Sequence, residues 1–169
     1  MGVGGVRILP GVANVATNNR VGFSELVDFL RTRHKAVVVT QRADGGPQTS
    51  PVTLGIDAEG RLLVSTYPQR SKVVNIRNHP RISMCVLSDE FNDAWVHVEG
   101  EAEILDMPDA LDPLVEYFRS ISGEHPDWEE YRQAMADGNK SLIRLTIDHW
   151  GPIATGGFPP RSAERAAQG

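Results

Sequence analysis

The sequence predicts a mainly β protein: a small six-stranded antiparallel barrel with helices packed at its edges. Three observations carry that expectation. Six short segments rich in β-branched and apolar residues recur along the chain. The first three are joined by tight glycine turns, as in an antiparallel meander. The helical stretches are few and fall at the margins of these strands.

Ser24 followed by Glu-Leu-Val-Asp-Phe-Leu-Arg-Thr-Arg33 reads as a capped helix, with Leu26, Val27, Phe29 and Leu30 on its apolar side. The first strand is Ala36–Gln41. The turn Arg42–Gly46 returns the chain as Pro47–Ile56, and the turn Asp57–Gly60 leads into Arg61–Thr66. Gly45-Gly46 reads as a hairpin device, since no helix follows it. Ser71 is placed to cap a short helix ending near Asn78, which Pro80 terminates. Ile82–Leu87 is the fourth strand, and Ala94–Leu105 a long fifth with a bend at Gly100. A helix is expected from Asp106 to about Ser122 and another from Pro126 to about Ala136. Ser141–Asp148 is the sixth strand, and the Gly- and Pro-rich chain after Trp150 reads as irregular.

At 169 residues the chain suits one domain, expected over residues 21–160 between a flexible lead-in (1–20) and a tail (161–169). No apolar run approaches the roughly 20 residues of a membrane span, so no membrane partner is expected. The first residues lack the basic start and apolar centre of a secretory leader. Cys85 is the only cysteine, which excludes an internal disulfide and suits a reducing, cytoplasmic compartment. The net charge of -5 argues against nucleic acid as a partner. The five histidines show no metal-ligand spacing, and neither a G-x-S-x-G elbow nor a phosphate-binding loop occurs.

Against that acidity, the chain holds no carboxylate between Glu59 and Asp89, while Arg61, Arg70, Lys72, Arg77 and Arg81 lie in between. Two readings follow. In one, the cations face solvent and pair with acids from elsewhere in the fold. Alternatively, Arg70, Ser71 and Lys72 flank a helix start whose free N–H groups and dipole favour an anion, and Arg and Lys grip a phosphate there. Arg77 and Arg81 are the weaker members.

The run R-S-K-V-V-N-I-R-N-H-P-R-I-S, set between two strands, resembles the split β-barrel flavin and deazaflavin oxidoreductases that include pyridoxamine 5'-phosphate oxidase. D-G-G-P-Q-T-S-P-V at 44–52, W-V-H-V-E-G-E-A at 95–102 and S-G-E-H-P-D-W-E-E-Y-R-Q-A-M at 122–135 extend the resemblance over most of the chain. The last of these is similar to the actinobacterial branch that uses coenzyme F420.

The resemblance implies an FMN-binding-like split barrel and a homodimer with two cofactor sites at its interface. It implies that Gln48, Thr49, Ser50, Pro51 and Val52 line the cofactor groove, and that Arg70, Ser71 and Lys72 take the phosphate. Arg77 is expected near the exit for the cofactor tail. Trp95, Trp150, Gly151, Pro152 and Phe158 match segments that reach across to the partner. Read alone, Thr49 and Ser50 are ordinary strand hydroxyls, and Trp95 is a core aromatic. No catalytic side chain is expected, because the cofactor carries the chemistry. The implied function is an F420-dependent reductase of a small organic substrate. The alternatives are an FMN-dependent oxidase or reductase, with Arg161 as a substrate grip, and a non-catalytic cofactor or tetrapyrrole carrier.

Overall fold

The computed structural model describes residues 15–158; the expected lead-in up to residue 14, the tail from residue 159 onward and Arg161 lie outside them. The elements in chain order are β1 (Thr17–Asn19), α1 (Phe23–Leu30), β2 (Lys35–Gln41), β3 (Pro47–Thr53), β4 (Gly55–Ile56), β5 (Leu62–Thr66) and α2 (Ser71–Asn78). They continue as β6 (Arg81–Leu87), β7 (Val96–Leu105), α3 (Leu111–Ser122), α4 (Trp128–Asp137), β8 (Ser141–Trp150) and β9 (Ile153–Thr155).

Seven strands form one antiparallel sheet in the order β3-β2-β6-β7-β8-β5-β4. Its two outermost strands, β3 and β4, are consecutive in the chain and separated only by Leu54. A sheet whose edges are joined by one residue must curl back on itself, so a barrel follows from the connectivity. Leu54 is buried, and its N–H donates to the His34 carbonyl at 2.9 Å.

The expected antiparallel barrel is therefore present, with two corrections to its strands. The single strand expected over Pro47–Ile56 breaks at Leu54 and serves both edges of the sheet, while the expected meander keeps its two pairings, β2 with β3 and β4 with β5. Among the described residues after Trp150 one stretch is regular: Ile153–Thr155 pairs with Thr17–Asn19, inside the segment expected to be a lead-in.

Strand β2 alternates in the way a sheet with one inward face requires, with Ala36, Val38 and Thr40 turned into the barrel. Where β5 and β8 pair, consecutive apolar residues, Leu62–Val64 and Leu142–Ile143, are buried because both faces are covered there, whereas β8 alternates from Arg144 onward. Leu62, Val64, Ile143 and Leu145 point into the main core, where α1 adds Leu26 and Leu30. Leu63 and Leu142 point outward into a second core with Ala110, Leu114, Val115 and Tyr131 of the α3–α4 unit.

Helix starts differ from expectation by local capping. Gly22, not Ser24, is the N-cap of α1, and the Glu25 carboxylate accepts the Gly22 N–H at 3.0 Å. The helix expected from Asp106 starts only at Leu111. Asp127 caps α4 by accepting from the N–H groups of Glu129 and Glu130. Gly100 marks a register shift between β7 and β8. A Cβ there would collide with the Thr146 carbonyl, so only glycine allows the two backbones to close.

Candidate functional site

The junction of β5 with α2 gathers a cationic cluster. Arg70 is the N-cap of α2 in an extended conformation, with φ -69° and ψ 142°, and no side chain caps the helix. Ser71 is thus the first helical residue, not the cap expected of it. The N–H groups of Val73 and Val74 turn back to the Arg70 carbonyl at 2.9 and 3.1 Å. Buried Val73 and Ile76 anchor the helix, which leaves its first turn facing out. Lys72 is half-buried, and burial together with the neighbouring Arg70 charge holds its ammonium below the ordinary lysine value of 10.5.

The five cations of the acid-free run divide between two roles. Arg61 is bound by the buried Asp57 carboxylate at 2.7 Å and by Glu59 at 3.0 Å. Arg77 donates to Asp106 at 2.6 Å, and Arg81 is ringed by Asp148, Glu99 and Glu101. Arg77, expected near a cofactor tail, is thus paired with Asp106 within the chain, and Arg81 is likewise engaged. Arg70 and Lys72 have no carboxylate partner among the described residues.

The groove residues on β3 split by the pleat. Gln48, Ser50 and Val52 share the face of Thr40, Val38 and Ala36, their partners on β2, whereas Thr49 and Pro51 are exposed on the other face. Asn75 of α2 donates to the Thr40 hydroxyl at 3.0 Å, and that hydroxyl donates to the Gln48 Oε1 at 3.0 Å. This relay ties the start of β3 to the cationic helix. Two strand positions on, the Ser50 hydroxyl is buried with no hydrogen-bond partner, the one such side-chain atom among the described residues. A buried orphan hydroxyl is costly unless something else supplies its partner.

The remaining expected site residues gather at the opposite end of β8. Thr66, four residues before Arg70, pairs with Ser141 at the start of that strand, and Trp150 ends it. Ten strand residues separate the two places by roughly 30 Å. Trp150 donates its indole N–H to the Val21 carbonyl at 3.0 Å and packs against Phe23, so within one chain it fastens α1 to the barrel. Gly151 donates to the His97 carbonyl, and Pro152 leads into β9. Phe158 is largely exposed. Trp95, bridged to Ala154, borders a cavity of about 280 Å³ with Cys85, Leu87, Phe91 and Gly156. One chain thus holds the cationic start of α2 and the aromatic segment far apart.

Residues 23–154 match the sequence pattern of the pyridoxamine 5'-phosphate oxidase family. The chain belongs to that family. Among solved structures, the pyridoxamine 5'-phosphate oxidase-like barrel is similar to that of a conserved hypothetical protein, Rv2991, from Mycobacterium tuberculosis. That pair shows 21% identity over 83% of this chain and 89% of the other, with a TM-score of 0.68. An F420 reductase aligns at 19% identity over 73% of this chain and 94% of its own, with a TM-score of 0.55. HutZ, a heme storage protein from Vibrio cholerae, aligns at 18% identity over 79% and 95%, with a TM-score of 0.60. At these identities the likeness is one of fold, and it spans proteins of different activities.

Tyr67 and Lys140 are absent from the residues expected from sequence, yet the Tyr67 ring lies between Lys140 and Arg70. Tyr67 lies inside the acid-free run and was legible there in principle. Lys140 reaches it only through strand pairing far along the chain, which no local signal announces.

Proposed function

We propose that this family member is an F420-dependent reductase, with Arg70, Ser71 and Lys72 holding the cofactor phosphate. The observation that carries the reading is the uncapped start of α2, where two cations lack acidic partners beside a barrel strand that buries an orphan Ser50 hydroxyl. The free N–H groups and the Arg70 guanidinium supply donors to phosphate oxygens. Gln48 is oriented by Thr40 and Asn75, and Ser50 offers its hydroxyl to a polar ring edge of a cofactor lying along β3. When bound and reduced, F420 supplies a hydride from C5 to an electron-poor double bond, with water giving the proton. The protein's part is to position the reactants and exclude bulk water.

A homodimer completes this reading. The cationic start of α2 and the aromatic segment of one chain lie at opposite ends of β8, so a single site containing both takes one from each subunit. FMN is the alternative cofactor, since its phosphate fits the same cradle.

Titration of the protein with F420 and with FMN, followed by tryptophan fluorescence, tests the assignment. The expected result is tighter binding of F420, and oxidation of reduced F420 when a quinone-like or conjugated-enone acceptor is added. Protein purified with stoichiometric FMN and indifferent to F420 would transfer the function to an FMN-dependent oxidase or reductase.

A further inference from the structure

The pairing of β5 with β8 sets Thr66 opposite Ser141, which brings the next residues on either side, Tyr67 and Lys140, together. The Lys140 ammonium stands 3.8 Å from the centre of the Tyr67 ring, and the Arg70 guanidinium carbon 5.8 Å from the same centre. Both lie within the range of cation–π attraction. Their charges are therefore no more than about 10 Å apart, within one Debye length at ordinary ionic strength.

Lys140 is held in place. It is half-buried, its N–H donates to the Met135 carbonyl at 3.1 Å, and Asn139 before it takes a left-handed turn with φ 45°. The nearby acid is already engaged: one Asp106 oxygen accepts from Arg77 and the other from the Ser141 hydroxyl, each at 2.6 Å. Like Arg70 and Lys72, Lys140 has no carboxylate partner among the described residues. An aromatic ring steadies an ammonium without using its hydrogen-bond donors, so they stay available to a ligand. Two cations suffice for one phosphate, and the third is held beside them by an aromatic ring and not by a carboxylate.

We propose that Lys140, standing on Tyr67, forms a second anion subsite beside the Arg70–Lys72 phosphate cradle, selecting ligands that carry another anionic group beyond the phosphate. The proposal rests on the reading of Arg70 and Lys72 as that cradle. The second group is a carboxylate, as on an acidic cofactor tail, or another phosphate.

Calorimetric titration of the full chain and of Lys140→Ala, Lys140→Arg and Arg132→Ala with inorganic phosphate and inorganic pyrophosphate tests it. Arg132, neutralised by Asp112 between α4 and α3, controls for the loss of one positive charge. The unaltered protein, Lys140→Arg and Arg132→Ala are expected to prefer pyrophosphate. Lys140→Ala should lose that preference by on the order of tenfold while binding phosphate as before. An undiminished preference in Lys140→Ala, or none in the unaltered protein, overturns the proposal. F420 then separates the two sources. If Lys140→Ala also binds it more weakly, the group is a tail carboxylate; if not, it is a second phosphate. Failure of F420 to bind any variant, with the pyrophosphate preference still following Lys140, would defeat the cofactor reading and leave the subsite standing.

Discussion

Arg70 and Lys72 have similar charge and different surroundings, and the difference is measurable. Arg70 is exposed, so Arg70→Ala should leave the fold nearly untouched while weakening cofactor binding by about 1.5–3 kcal/mol, as for other charge-assisted contacts. Equal affinities in a titration of variant and wild type would remove Arg70 from the cradle. Lys72 is half-buried, and its ammonium is held below 10.5 by burial and by Arg70. A bound anion favours the protonated form, so binding takes up a proton once the pH passes the lowered pKa of the free protein. Affinity should accordingly fall with rising pH before the ordinary lysine range is reached, and Lys72→Arg should push that fall to higher pH. A pH series of cofactor titrations checks this, and an unchanged profile in Lys72→Arg would assign the titration to another group. The charge run itself was visible in the sequence. Which of its members stay free was not, because Asp57, Asp106 and Asp148, which claim Arg61, Arg77 and Arg81, come from outside the run.

At the scale of elements, most strands follow from residue type and alternation, while their ends follow from pairing. The stretch 122–135 shows the difference between a recognisable motif and its role. In the fold it forms the start of α4, where His125, Trp128 and Tyr131 stack with Phe118 at centroid distances of 5.1–5.8 Å. It is a packing unit on the outer face of β5 and β8, far in character from a ligand site. Gly100 shows the reverse. A bend was legible there, but its cause is the close approach of the Thr146 carbonyl. Gly100→Ala should force β7 and β8 apart and lower the unfolding free energy by roughly 3 kcal/mol or more. A urea midpoint matching wild type would show that the bulge relaxes without cost.

For the whole molecule, the outer face of β3, β2 and β6 presents Pro51, Val37, Cys85 and Leu87 in register across the strands, beside the exposed Phe91 and Trp95. An apolar sheet face of this kind suits burial against a second copy. Light scattering at micromolar concentration should report a dimer, with an interface above about 2,000 Å² as obligate pairs have. Leu87→Glu should shift it toward monomer and reduce cofactor affinity together with dimerisation. A wild-type monomer that retains cofactor would refute the shared site. No helix among the described residues is long and apolar enough to cross a membrane.

Alternation, turn residues and the uneven placement of charge determined by themselves the antiparallel barrel, its principal strands and the cationic start of α2. These are properties of neighbouring residues, and local stereochemistry enforces them. Tertiary structure alone decided the closure of the sheet through Leu54, the pairing of the lead-in with β9, the capture of Arg77 by Asp106 and the meeting of Lys140 with Tyr67. Each depends on strand register between residues distant in sequence. Register is set by the fit of whole faces against a common core, so no single segment contains it.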